Sequence, residues 1–183
     1  MRTRFVVNSL KNHKDLRIPA IIDVEASGFG ATSYPIEVGA INQDGQRYCS
    51  LIKPQADWTH WDLQAESLHG ISREAIQQKG LPVHNVCKQL NQFLHGQVVY
   101  TDGWVVDGSW LIKLFHAAGM PMKFHLSSLE IILNEQQMSI WHTVKEDLFL
   151  KAKEQRHRAS SDAALVQQTY MKTQKMCAVQ EAR

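Results

Sequence analysis

The segment Ile21–Gly28, IIDVEASG, places two carboxylates at alternating positions of an apolar strand. Residues two apart in a strand point to the same side of a sheet, so Asp23 and Glu25 are predicted to lie side by side. The sequence has no Lys or Arg between Ile18 and Arg47 that would neutralise them. Because like charges in a partly dry place repel each other and raise a pKa, we predict that positive charge comes from another source.

The order of predicted elements favours an α/β domain. Strands are predicted at 18–26, 35–42, 47–53 and 97–103, with a short fifth strand after 124. Helices are predicted at 82–96, at 106–119, from Ser127 or Ser128 onward, and at 159–172, and residues 55–71 are predicted to be irregular. Gly45 in QDGQ marks a hairpin turn between the second and third strands. A meander followed by crossovers gives a mixed sheet.

Composition agrees with a single folded domain. Of the 183 residues, 44% are hydrophobic and 21% charged, which is untypical of a disordered chain or a coiled coil. We predict a basic N-terminal arm at 1–17, a domain at 18–175 and a C-terminal tail at 176–183. The net charge of +2 is too small to identify a nucleic-acid binder by itself.

The cysteines and the apolar segments bear on the compartment. Cys49, Cys87 and Cys177 are odd in number and widely spaced, which predicts neither a disulfide framework nor a zinc knuckle. The N-terminus lacks the apolar core of a signal peptide, and no apolar run is long enough to span a membrane. We therefore predict a cytoplasmic protein with no membrane partner.

Two further acids stand at or beside positions that a helix would turn toward the core, and a histidine precedes the second of them. Asp107 is in line with Leu111 and Leu114, although an acid at a helix N-terminus is also favoured by the helix dipole. Asp162 lies at the border of the inward face of the last predicted helix. His157 precedes it by five residues, and taken alone it would be interpreted as a surface histidine.

Together the four acids predict a metal centre. Asp23, Glu25, Asp107 and Asp162 come from three elements, and clustered carboxylate oxygens are the ligands that Mg²⁺ and Mn²⁺ prefer. Two such cations roughly 3.5–4 Å apart can clamp a phosphodiester, lower the pKa of a water and stabilise the leaving oxygen. A histidine titrates near neutrality, so His157 is a candidate general base beside them.

Five segments of the chain resemble the motifs of one nuclease family. DVEASG resembles a first motif, PIEVGAI the strand after it, SLHGIS a His-Gly-Ile segment, TDGWVVDGSWL a second motif and HRASSDA a third. In this order they resemble the DEDDh-type 3′–5′ exonucleases of the proofreading-subunit-like superfamily. The match runs from about residue 18 to 170. It implies a ribonuclease-H-like fold, in which a mixed five-stranded sheet is flanked by helices.

The resemblance also implies roles for individual residues. Asp23, Glu25, Asp107 and Asp162 would hold two divalent cations, and His157 would deprotonate the attacking water. The pocket for the 3′-terminal nucleotide would be formed by the backbone of Ala26, Ser27 and Gly28, with Phe29 and His69 beside it. From the residues alone, we favour core packing for Phe29 and a loop histidine with satisfied hydrogen bonds for His69.

Two positions depart from the family pattern. Ala26 stands where the family commonly has Thr, and Asp102 and Gly103 stand where it often has a His-Asn pair. For Asp102 we favour a helix cap over an additional acid near the metals.

The predicted function is release of nucleoside 5′-monophosphates from the 3′ end of single-stranded DNA or RNA. Two alternatives remain open at this point: a catalytically silent nucleic-acid-binding or polymerase-accessory module of the same fold, and an integrase-like or ribonuclease-H-like endonuclease. A homodimer or a polymerase partner is a further open possibility.

Overall fold

The computed structural model describes residues 18–152 and 157–181 of the chain. The predicted basic arm at 1–17 and the last two residues of the predicted tail therefore lie outside the described residues. A sheet of five strands forms the centre of the domain. Its strands are β1 (Ala20–Ala26), β2 (Pro35–Ile41), β3 (Arg47–Leu51), β4 (Val98–Thr101) and β5 (His125–Ser128).

The sheet has the order β3-β2-β1-β4-β5 and is mixed, as predicted. β1, β2 and β3 pair antiparallel, whereas β4 pairs parallel to both β1 and β5. The predicted hairpin turn is confirmed: the Asn42 side chain accepts hydrogen bonds from the backbone N–H groups of Asp44 and Gln46, and Gly45 has a φ of 77°. Because β1 and β4 are parallel, their carboxyl ends meet at the same edge of the sheet.

Six α-helices and one short 3₁₀ helix flank the sheet in the described part of the chain. The α-helices are α1 (Leu63–His69), α2 (Arg73–Lys79), α3 (Val83–Phe93), α4 (Trp104–Ala117), α5 (Glu135–Lys151) and α6 (Ala159–Glu181), and the 3₁₀ helix is Leu129–Ile132. Among the described residues, no helix is both long enough and apolar enough to cross a membrane.

Three sequence-based boundaries are corrected by the structure. The segment 55–71 was predicted to be irregular, but it contains α1, whose first turn is capped by the Asp62 side chain. Ser127 and Ser128 belong to β5, and only the short 3₁₀ helix Leu129–Ile132 follows directly, with Ser128 as its cap residue; α5 begins after Asn134, which forms a capping box with Gln137. The last helix continues past residue 172 to Glu181, so most of the predicted tail is helical.

Each face of the sheet carries its own hydrophobic core. On one face, alternate β1 residues such as Ile22 and Val24 pack with the inward residues of α3 and α4. On the other face, Ile21 and Ile41 pack with residues of α5 and α6. The alternation of side chains in β1 therefore directs Asp23 and Glu25 to the α6 face, beyond the core residue Ile21.

A glycine in β2 allows α6 to approach the sheet at its first turn. A Cβ atom at Gly39 would lie 2.0 Å from the backbone nitrogen of Ser160 and 2.2 Å from the carbonyl carbon of Ala159. No side chain fits in this space, so the N-terminus of α6 lies directly on the backbone of β2. This contact brings the first turn of α6 next to the acids of β1.

We predict that Gly39→Ala destabilises the protein by at least about 3 kcal/mol, because backbone atoms of α6 would have to move. Gly108→Ala is the matched control. A Cβ at Gly108 would meet only Leu126 at 3.9 Å, and the change relieves the entropic cost of glycine inside α4. It should stabilise by about 0.5–1 kcal/mol in urea unfolding measurements. Equal effects of the two variants would contradict the close approach.

Candidate metal centre and active site

The carboxyl end of β1 places two acids on one side of the sheet. Asp23 pairs with Gly39 of β2, and Glu25 pairs with Glu37. The small partner at Gly39 leaves room beside Asp23 for the first turn of α6. The register shifts between Glu25 and Ala26, and Ala26, the last residue of β1, pairs with Pro35 of β2.

Asp162, in the first turn of α6, completes a cluster with these two acids. One carboxylate oxygen from each of Asp23, Glu25 and Asp162 can be chosen so that the three atoms lie within 4.8 Å of one another. His157 lies just before the helix, and its backbone N–H donates to Asp162 Oδ2 at 3.1 Å. The backbone of His157 is left-handed, with a φ of 60°, which is unusual for a residue other than glycine.

Asp107 approaches the cluster from the opposite side of β1. It lies in the first turn of α4, is 3% exposed, and accepts a hydrogen bond from the Thr101 hydroxyl at the end of β4. The predicted inward orientation is therefore confirmed. Asp107 is outside the three-oxygen group but contributes the largest like-charge repulsion on Asp23.

Burial and mutual repulsion perturb the acids strongly. Burial, followed by the charges of Asp107, Glu25 and Asp162, raises the pKa of Asp23 well above its ordinary value. Burial and the charges of Asp162 and Glu37 raise the pKa of Glu25 to about 7. Burial also raises the pKa of Asp107 to about 7, against the opposing effect of the Thr101 hydrogen bond. The folded chain thus holds its carboxylates in an arrangement that is unfavourable without added positive charge.

The donor set fits a hard divalent cation. The three clustered groups offer only carboxylate oxygens, they are partly exposed, and their oxygens are close enough to share an ion. A bound cation would also offset the repulsion that helps to raise the pKa values of Asp23 and Glu25. A cation-binding cluster of Asp23, Glu25 and Asp162 is therefore consistent with both the geometry and the electrostatics.

A cavity of about 310 Å³ opens beside the acids. Its polar lining includes Asp23, Glu25, Asp107 and His157, together with His69. Its apolar lining is formed by the residues Ala26, Phe29, Ala65, Leu68, Val106 and Trp110. A cavity lined by both acids and apolar side chains suits a ligand with a charged or metal-binding part and a flat apolar part.

Phe29 and His69 both line this cavity, but in different ways. Phe29 is 69% exposed, so the interpretation of it as a core residue is wrong. His69 is buried at the end of α1 rather than in a loop, and its Nδ1 accepts from the Ile71 N–H at 3.0 Å. Burial lowers the pKa of His69, which keeps the ring neutral at pH 7 with its proton on Nε2.

The loop after β1 holds Phe29 at the mouth of the cavity. Gly28 lines the cavity and has no space for a side chain, because a Cβ there would lie 2.6 Å from the His60 ring. Ser27 does not line the cavity, since its hydroxyl points into the loop, accepts from the Tyr34 N–H and contacts His60. Of the three loop positions predicted to line the pocket, the structure places Ala26 and Gly28 there.

Asp102 does not cap a helix, contrary to the sequence-based preference. Gly103 is the cap residue of α4, and its N–H donates to the Thr101 hydroxyl. Asp102 instead forms an ion pair with Lys145 of α5. The cap interpretation failed because this partner is 43 residues away in the sequence.

Sequence reasoning missed a buried carboxylate and its partner. Glu37 in β2 is fully buried, and Arg158, next to His157, binds it through Nε and Nη2. The backbone N–H of Ala159 also donates to Glu37, at 2.9 Å. The one indication in the sequence was Glu37 itself, an acid within the otherwise apolar strand segment PIEVGAI, which needs a partner when buried. Trp110 and Leu68 of the cavity wall were missed as well, because they resemble ordinary helix residues.

Comparisons with known proteins support the fold rather than a sequence family. No family model and no curated protein matches the chain. Among solved structures, E. coli Exonuclease I in complex with a 5cy-dA13 oligonucleotide matches with a TM-score of 0.61 at 13% identity, over 84% of this chain and 40% of that chain. An Exonuclease I from Methylocaldum szegediense matches with a TM-score of 0.62 at 12% identity, over 83% and 39%.

The zinc-bound form of the E. coli ExoI–ssDNA complex matches with a TM-score of 0.59 at 13% identity, over 90% of this chain and 41% of that chain. The chain has the ribonuclease-H-like fold of Exonuclease I. The predicted fold class is thereby confirmed. The chain spans about 40% of the length of these neighbours. A structural likeness at 13% identity shows a shared fold but does not show a shared activity.

We predict that the metal-free protein is more stable at pH 5.5 than at pH 8. Because the folded pKa values of Glu25 and Asp107 are near 7, and thus above their ordinary values of 4.5 and 3.8, stability falls as pH rises toward and through 7. The melting temperature should drop by at least about 3 °C across this range.

Two controls connect that drop to the acidic cluster. Asp107→Asn should reduce the drop, because one carboxylate is removed while the side chain keeps an oxygen for the Thr101 hydroxyl. Mn²⁺ should raise the melting temperature more at pH 8 than at pH 5.5. A metal-free protein that becomes more stable between pH 5.5 and 8 would contradict the raised pKa values.

Proposed function

We propose that this protein is a metal-dependent 3′–5′ exonuclease acting on single-stranded nucleic acid. It hydrolyses the terminal phosphodiester bond and releases a nucleoside 5′-monophosphate. The convergence of Asp23, Glu25, Asp107, Asp162 and His157 at one end of an exonuclease fold carries this proposal. Three separate segments of the sequence contribute these side chains, and the packing of the core would not require any of them to meet.

Four carboxylates are proposed to hold the cations. Asp23, Glu25 and Asp162 share one group of oxygens, and Asp107 faces Asp23 from α4. When bound, two Mg²⁺ or Mn²⁺ ions would supply Lewis acidity and lower the pKa of the attacking water. That the cation is Mg²⁺ or Mn²⁺ is itself part of the proposal.

His157 is proposed to accept the proton of the attacking water. It lies on the cavity wall next to the acids, and its backbone N–H is bonded to Asp162, so its position is tied to a proposed metal ligand. An imidazole suits this role because its pKa lies near the pH of the cell. Deprotonation of water by His157 would leave an imidazolium, which can return the proton to solvent through the open cavity.

The apolar lining of the cavity is proposed to position the terminal nucleotide. Phe29 and Leu68 are exposed residues of this lining, and Trp110, another lining residue, is held by the hydrogen bond that its Nε1 donates to the Ser33 hydroxyl. A nucleobase that stacks on an aromatic side chain gains about 1–3 kcal/mol without a requirement for sequence. Unpaired bases are needed for such contacts, which favours a single-stranded 3′ end.

Further parts of the proposal have support of different kinds. The single-stranded substrate agrees with the oligonucleotide complexes of the matched Exonuclease I structures. The cytoplasm as compartment agrees with three free cysteines. A homodimer, a polymerase partner and the choice between DNA and RNA stay predictions. The silent module is disfavoured, since all five proposed catalytic and metal-binding side chains gather in one place.

We predict that the protein, with Mg²⁺ or Mn²⁺, releases nucleoside 5′-monophosphates from linear single-stranded DNA or RNA and leaves a circular single strand intact. Product analysis by chromatography measures both results, and Asp107→Asn should be inactive because a proposed metal ligand is lost. If mononucleotides are released from neither DNA nor RNA, the result would favour the catalytically silent module. Cleavage of the circle would favour an endonuclease.

We predict that His157→Ala lowers kcat by about 10²–10⁴-fold, the usual contribution of a general base. The affinity for Mn²⁺, measured by calorimetry, should stay within about threefold, because the four carboxylates remain. Replacing His142, an exposed histidine of α5, by alanine is the matched control and should leave kcat unchanged. Normal turnover by His157→Ala would remove His157 from the mechanism.

A further inference from the structure

The buried carboxylate of Glu37 is held in an unusually complete set of contacts. Arg158 Nε lies 3.1 Å from each Glu37 oxygen, and Arg158 Nη2 lies 2.5 Å from Oε1. The Ala159 N–H donates to Oε2 at 2.9 Å. Glu37 is fully buried, whereas the Arg158 side chain is about half exposed and reaches inward from the surface. A buried carboxylate requires such a partner, because an unpaired buried charge is very costly.

These contacts fix the segment of chain that carries His157. Arg158 follows His157 directly, and its guanidinium connects this segment to the centre of β2, 121 residues earlier. The next residue, Ala159, is bonded to the same carboxylate and lies against Gly39. The chain is therefore attached to the sheet immediately after His157, at two successive residues.

The backbone at His157 needs this support. A non-glycine residue with a φ of 60° adopts a conformation that costs about 1–3 kcal/mol and persists only where the surrounding contacts enforce it. On one side, the His157 N–H is bonded to Asp162. On the other side, the hydrogen bonds of Arg158 and Ala159 to Glu37 fix the path of the chain. Together they determine where the imidazole enters the cavity.

We propose that Glu37 and Arg158 are positioning residues that hold His157 in the geometry required for proton transfer. This inference rests on the proposed exonuclease function and adds to it a pair of residues that do not touch the substrate. A planar guanidinium suits the task because it forms several directed bonds at once, whereas a lysine would supply only a point charge. A shift of about 1 Å in a catalytic group can lower a rate by about 100-fold.

The test must separate positioning from stability. Replacing Arg158 alone leaves Glu37 buried without its cation, so the variant could fail to fold. The double variant Glu37→Gln with Arg158→Met avoids this, because it removes both charges while the amide oxygen still accepts from the Ala159 N–H. Its melting temperature, kcat, KM and Mn²⁺ dissociation constant are compared with those of the wild type.

We expect the double variant to fold with a melting temperature within about 5 °C of the wild type. Its kcat should fall at least about 30-fold, while KM and the Mn²⁺ dissociation constant change by less than about threefold. Asp147→Asn is the matched control: it removes the ion pairs of Asp147 with Lys151 and Lys172, on α5 and α6, and should leave kcat unchanged.

Recovery of kcat by an added guanidinium compound is a second test, because a purely structural role of Arg158 predicts no such recovery. Arg158→Ala should regain part of its kcat when methylguanidinium is added, because the carboxylate of Glu37 can bind the added cation. The same Arg158→Ala change in a Glu37→Gln background should not respond. Arg158→Lys should stay well below wild-type kcat, since one ammonium cannot reproduce the three contacts.

Two results would overturn the inference. One is a double variant whose kcat lies within about threefold of a wild type that is itself active. The other is a double variant that loses Mn²⁺ affinity by the same factor as kcat. The lower rate would then result from a displaced metal ligand, Asp162, and not from a displaced His157. An inactive wild type would instead refute the proposed function, so the two failures are distinguishable.

Discussion

Carboxylates crowded at the carboxyl ends of β1 and β4 repel one another, and this repulsion governs the behaviour of the site. Asp23, Glu25, Asp107 and Asp162 are brought together by the sheet and by the first turns of α4 and α6, and burial, together with the charge of neighbouring acids, raises the pKa of the first three. Their approach costs stability in the absence of a cation. A cation that binds here relieves this repulsion, so the arrangement favours binding of positive charge. Carboxylate oxygens are good ligands for divalent cations such as Mg²⁺.

The parts of the site that follow local periodicity were predictable from the sequence. The period of two in a strand placed Asp23 beside Glu25, and the helical stripe of α4 turned Asp107 inward. The contacts that depend on distant partners were not predictable. Glu37 meets Arg158 across 121 residues, and Asp102 meets Lys145 rather than a helix N-terminus. The helical region was predicted to begin too early, because Ser128 ends β5 and also precedes a short 3₁₀ helix, whereas α5 begins only at Glu135.

The comparisons show how little of the sequence the fold requires. At 13% identity the chain still shares the fold of E. coli Exonuclease I, because many apolar sequences can fill the same two cores. Individual positions such as Gly39 and Glu37 are restricted more tightly, since α6 lies directly on the first and is bonded to the second. These restricted positions surround the proposed active site, where a small displacement of His157 would affect the chemistry.

Anomalous diffraction from crystals soaked in Mn²⁺ would show whether these carboxylates hold cations. We predict two Mn²⁺ peaks roughly 3.5–4 Å apart, within coordination distance of oxygens from Asp23, Glu25, Asp107 and Asp162. Coordination by carboxylates from all three chain segments is the decisive feature. Mn²⁺ bound elsewhere on the protein, with no ion in contact with Asp23, would refute the proposed metal centre.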